Sequence, residues 1–127
     1  MPRVSAAFFT VGILCVLLGM AWGMDMGASN NLVEMPAHAH LNLVGWATMS
    51  LYGTFYALTK DTMAPRLAWL NFIVSLVGLV VMIPALALML ISGPKFLPGV
   101  MAGSIITFIG ALIFLISVLR ELFRRRA

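Results

Sequence analysis

His38 and His40 are the only histidines in this 127-residue sequence, and they fall in one stretch, Met35-Pro-Ala-His-Ala-His-Leu-Asn-Leu-Val-Gly-Trp46. A neutral imidazole offers a ring nitrogen with a free lone pair, the donor most used for metal ligation. Ionisable side chains at membrane depth are costly, so by default they are candidates for function. Residues two apart on a regular helix diverge by about 200°, because each residue advances about 100°. His38 and His40 therefore cannot grip one ion together from a regular helix. If one faces a bundle interior, the other faces a different neighbour, a loop or another subunit. A structural alternative exists for either ring, an interfacial imidazole bonded to a loop carbonyl. The pair occurs with Asn42, Gly45 and Trp46 on one broad face of a chain otherwise poor in titratable groups. That grouping favours ligation by at least one of the two.

Other chemistries have fewer residues to use. Met20, Met24, Met26 and Met35 could join the histidines in a copper(I) site, since thioether and imidazole are soft ligands. Methionines scattered through an apolar chain are more often packing material, which makes copper the lesser expectation. The sequence has no Cys-His arrangement, no paired membrane carboxylates and no Gly-rich phosphate loop. Nucleophilic catalysis, a proton-pump dyad and nucleotide binding are thus not expected.

The elements that must position the histidines follow from composition. The chain is 62% hydrophobic and 9% charged, with a mean hydropathy of +1.07. Charged residues make up about 25% of an ordinary globular chain, so this composition indicates a membrane protein. It argues against a cytosolic enzyme, a disulfide-stapled secreted domain and a nucleic-acid binder, despite the net charge of +4. The single cysteine, Cys15, lies in an apolar run and reads as a lipid- or helix-facing filler. Crossing a hydrocarbon layer of about 30 Å takes roughly 20 apolar residues in a helix. Four stretches qualify: residues 5–24, 40–59, 67–91 and 100–119. The expected fold is all-α, a single domain over residues 1–127 with four transmembrane helices in an up-down bundle. Pro36 suits a first helical turn, which starts the second helix before His38. Pro84 should kink the third segment by freeing a carbonyl one turn earlier.

Arg3, Lys60, Arg66, Arg120, Arg124, Arg125 and Arg126 fall on one side of this arrangement and Lys95 alone on the other. The positive-inside rule then places both termini in the cytoplasm. The C-terminal arginines read as a topology anchor ahead of an anionic-lipid or partner site. Arg3 before an apolar run could mark a signal peptide, but no small-residue cleavage site follows it, so the first segment is expected to stay as a helix. Gly19 and Gly23 form a GxxxG pair, and Gly99, Gly103, Thr107 and Ala111 repeat every four residues. Such stripes allow close backbone approach in lipid, and packing within the chain is the simpler assignment than a seam between copies. Asn71 and Ser75 should hydrogen-bond to neighbouring helices.

His40-Leu-Asn42, followed by Trp46, Gly53 and Tyr56, resembles the second transmembrane helix of subunit I in the haem-copper oxidase superfamily. The pattern is closest to nitric oxide reductases, with a His-x-Asn opening, a Trp and a Gly-to-Tyr end. The segment from Trp69 and Asn71 through Gly78, Met82 and Pro84 to Gly93-Pro94-Lys95 is similar to a late subunit I helix. The resemblance implies that His40 is an axial ligand of haem b near the outer membrane surface. It gives His38 a place as second ligand, supporting group or ligand to a neighbouring subunit's haem, and Lys95 a role against the haem propionates. Trp46 and Tyr52 would flank the macrocycle. No histidine follows His40, so a complete oxygen- or nitric-oxide-reducing centre is not available from one chain. What the resemblance leaves is a haem protein of the bacterial inner membrane in electron transfer, gas sensing or an accessory role, with a respiratory-chain redox partner. The sixth position would be filled by a symmetry-related subunit in a homo-oligomer, by Met101 or Met89, or by a diatomic gas. The rival expectation is a structural or assembly protein of the membrane, surrounded by lipid and holding no cofactor.

Overall fold

In lipid, backbone polar groups must be satisfied internally, and helices achieve this segment by segment. The computed structural model describes residues 1–125, and among these it is helical with no strand. Arg126, one of the expected topology anchors, lies outside the described residues. Helix α1 covers Arg3–Ser29. Helix α2, residues 35–58, joins an α-helical turn Met35–His40, a π-helical segment Leu41–Thr48 and an α-helix Met49–Leu58 without a break. Helix α3 is Pro65–Ser92, and α4, Leu97–Leu122, follows a 3-10 turn at Pro94–Phe96. Three stretches, Arg3–Ser29, Pro65–Ser92 and Pro94–Leu122, are long and apolar enough to cross a membrane.

Local chemistry sets the helix ends. Pro36 and Pro65 occupy first-turn positions, where proline lacks an N–H that would be unpaired anyway. Helix α1 runs past the expected end at Met24 and includes Asp25 and Gly27. It stops at Asn30, whose φ of 55° is a left-handed conformation that asparagine tolerates. The connection between the first two helices is therefore only residues 30–34, and His38 and His40 sit on a helix, as Pro36 suggested. Helix α3 passes through Pro84 without interruption.

Glycines set the registers of both hairpins. Along the α1–α2 seam, a Cβ added at Gly23 would meet His38 at 3.1 Å, and one at Gly12 would meet Ser50 Oγ at 2.8 Å. Gly19 lies under the Asn42 amide in the same way. The relation reverses at Gly45, which lies on Cys15, and at Gly53, which lies on Phe8 and the Ser5 carbonyl. Along α3–α4, Gly99 faces Ala85, Gly103 faces the Met82 backbone, Gly78 faces Thr107 and Gly110 faces Ser75. Both glycine stripes are thus used inside the chain. Gly110 closes the second stripe in place of the expected Ala111, which is exposed, because seam residues recur at spacings of three or four.

The two hairpins join firmly at the end that carries both termini. Phe8, Tyr52, Tyr56, Phe72 and Phe114 pack there ring against ring, around buried Val4, Met49 and Ala68. A polar chain runs through this cluster. Ser75 Oγ donates to Asn71 Oδ1 at 2.9 Å, Asn71 Nδ2 donates to Tyr56 Oη at 3.0 Å, and Tyr56 and Ser117 share a 2.8 Å bond. Asn71 therefore bonds to a neighbouring helix as expected, while Ser75 bonds to Asn71 one turn away on the same helix. Towards the other end the hairpins part and leave an apolar groove of about 600 Å³ between α1 and α3, with Leu41 of α2 at its edge. Cys15 lines that groove and is buried beneath Gly45.

Candidate functional site

The stretch that holds the histidines is also the least regular part of the helical core. A π-helix uses i→i+5 bonds, is rare, and is found most often at functional sites. Here it begins directly after His40 and includes Asn42, Gly45 and Trp46. The Thr48 hydroxyl donates to the Leu43 carbonyl five residues back at 2.8 Å, which follows the widened turn.

His38 and His40 face different surroundings. His38 turns towards α1, edge-on to Trp22 with ring centroids 6.2 Å apart and seated over Gly23. Asn42 Nδ2 donates to His38 Nε2 at 3.3 Å, which places the ring proton on Nδ1. That Nδ1 and Asn42 Oδ1 are buried and have no hydrogen-bond partner among the described residues. Trp22 Nε1 donates to Glu34 Oε2 at 3.2 Å and closes the cluster at the loop. His38, Asn42 and Trp22 form one partly buried polar group between α1 and α2, and Trp46 follows further along the same seam near Gly12.

His40 lies on the exposed side of α2. Its Nδ1 donates to the Pro36 carbonyl at 2.7 Å. In a neutral ring this bond puts the proton on Nδ1, and Nε2 is then the lone-pair nitrogen. Metal-bound histidines are commonly oriented in this way, by a backbone carbonyl on the other nitrogen. The carbonyl bond thus holds an exposed imidazole in a fixed orientation at the bundle surface, directly before the π-segment.

The remaining candidates are dispersed. Lys95 is exposed in the connection between α3 and α4, at the same end as His40, with Nζ 5.2 Å from the Phe96 ring centroid. Tyr52 belongs to the aromatic cluster at the opposite end and does not approach His40. Met20, Met24 and Met35 are exposed while Met26 is buried, so the four thioethers do not converge on one point. Met101 is exposed near the start of α4. No group of three or more His, Cys, Asp or Glu able to hold a metal occurs among the described residues. Sequence reasoning missed the π-segment, the Trp22–Glu34 bond and the groove. Only the first left a trace in composition, Gly45 in the middle of a helical run.

The fit to a haem can be judged from these positions. His40 is the one exposed imidazole that could serve as an axial donor, and no histidine lines the groove between the hairpins. A haem held by His40 would therefore lie at the surface of the chain, and His38, turned to α1, would not reach its other face. Comparison with family profiles, curated proteins and solved structures gives no match to this chain.

Proposed function

We propose that this chain is a haem b-binding protein of the bacterial inner membrane, with His40 as axial ligand. The single observation that supports this reading is the Nδ1 bond to the Pro36 carbonyl, which presents Nε2 of an exposed imidazole as a lone-pair donor. In this reading α2 is a fourth membrane crossing beside the three long apolar helices, and both termini face the cytoplasm, where the basic residues concentrate. His40 then lies near the outer surface. His40 of a second copy would supply the second histidine, since His38 turns to α1 and does not share a position with His40. The glycine stripes are taken up within the chain, so the copies would meet through the exposed side of α2. His38 and Asn42 hold α2 against α1 behind the ligand, and Lys95 lies at the same end as a cation for propionates. When bound, haem would supply one-electron chemistry or a site for a diatomic gas, in an electron-transfer, sensing or accessory role with a respiratory redox partner. No copper site is proposed.

The test is optical. Protein purified in detergent, or reconstituted with haemin, should show a Soret band and resolved visible bands on reduction. His40→Ala should abolish the bands, whereas His38→Ala should retain them with lower thermal stability. A colourless protein that takes up no haemin would overturn the reading. It would favour a structural role for the same bond, since the His40 ring also ties down the first turn of α2. That second reading expects His40→Ala to leave partner association unchanged.

A further inference from the structure

At the end carrying the termini, the residue 59–64 connection and the last turns of α4 enclose a cavity of about 150 Å³. Its polar wall carries Arg120 and Arg124, together with Thr59, Thr62 and Ser117. Its other wall is apolar, built by Phe55, Met63 and Leu67. Glu121 organises the rim, accepting from Thr62 Oγ1 at 2.7 Å and from Arg124 Nη2 at 3.1 Å. Arg124 therefore has a fixed position while most of its N–H groups remain available. Arg120 makes no ion pair or hydrogen bond among the described residues, so one guanidinium at the cavity is uncommitted. The hydroxyls are oriented the other way. Thr59 donates to the Phe55 carbonyl and Thr62 to Glu121, so each presents an oxygen acceptor, while the buried Ser117 is taken up by Tyr56 and the Ile113 carbonyl. Donors on one side, acceptors on the other and an apolar wall beside them match an anionic headgroup that carries both phosphate and hydroxyls.

We infer that this cavity binds the headgroup of an anionic phospholipid, with its phosphodiester on Arg120 and Arg124 and its headgroup hydroxyls on Thr59. The acyl chains would follow the apolar wall into the bilayer. This assignment rests on the membrane reading and is independent of haem, so each can fail without the other. It also changes the role of the C-terminal arginines. Arg120 and Arg124 line a formed cavity and Arg125 does not, which separates a site from a general positive-inside charge.

Native mass spectrometry of the full-length protein in detergent tests it, with phosphatidylglycerol, phosphatidylcholine and inorganic phosphate as probes. Wild type should retain phosphatidylglycerol about tenfold better than phosphatidylcholine, as expected for two surface cations on one anionic lipid. Arg120→Gln combined with Arg124→Gln should remove that preference, and Arg125→Gln should keep it. If the double variant does not fold, Arg120→Gln alone breaks no bond found among the described residues and should lower the preference about threefold. Three results would overturn the assignment. One is an undiminished preference in the arginine variants, and another is an equal loss in Arg125→Gln, which would indicate diffuse charge. The third is displacement of the lipid by millimolar phosphate, which would identify a free-anion site.

Discussion

Asn71 and Asn42 each place an amide between helices, at opposite ends of the molecule. Asn71 accepts from Ser75, donates to Tyr56 and is fully buried within the aromatic cluster. Asn42 donates to His38, and its Oδ1 is left without a partner among the described residues. The same side chain thus anchors a satisfied network at one end and an unfinished one at the other. Away from water, satisfied polar networks rigidify a core, whereas partly satisfied ones cost stability and mark places able to rearrange. The contrast extends to packing, since the hairpins touch ring to ring near Tyr56 and part into a groove near Trp22. The termini end is the more tightly built part of the fold, and the histidine end is the part with room to rearrange.

Substitutions can break this contrast, with the largest effect expected at Gly53. A Cβ there would lie 3.0 Å from Phe8 Cβ and 3.1 Å from the Ser5 carbonyl, so Gly53→Val should destabilise the protein by about 2–3 kcal/mol in detergent unfolding. Asn71→Leu comes next. It strips Tyr56 and Ser75 of partners and should cost about 1 kcal/mol, since hydrogen bonds in membrane proteins are individually modest. Gly23→Ala meets only the movable His38 ring and should cost under about 1 kcal/mol. Its clearer readout is a shifted His38 imidazole resonance by NMR. Asn42→Leu should be nearly neutral, within about 0.5 kcal/mol, because it removes an unpaired carbonyl along with one weak bond. Equal losses for Asn42→Leu and Asn71→Leu would show the two ends to be equally built, and the distinction drawn between them would fall.

Much of this arrangement was legible in the residues. The apolar runs, the prolines at helix starts and the polar pair Asn71 and Ser75 all pointed to the elements observed. Helix α1 ran further than expected because Asp25 and Gly27 are tolerated in a helix beyond the apolar stretch, and only Asn30 offered a left-handed stop. The glycine spacing indicated seams but could not name their partners. That depends on which helix lies opposite, and the antiparallel registers at Gly23–His38 and Gly103–Met82 answer it. The candidate site was legible in part. Divergence of His38 and His40 follows from helical geometry, yet the sequence grouped both with Asn42 and Trp46 on one face. The structure keeps His38 with those residues on the α1 side and leaves His40 outside.

Sequence by itself determined that the chain is helical and apolar enough for membrane, because composition and length decide whether backbone and surface can tolerate lipid. It also determined that two neighbouring imidazoles must look in different directions, since helical rotation per residue is fixed. Tertiary packing decided which imidazole looks inward. The glycines of α1 leave room for one ring, and the wider π turns re-phase everything that follows it. Packing alone also made a cavity from Arg120 and Thr59, residues far apart in the chain. Such a site exists only when the end of α4 returns to the loop between α2 and α3.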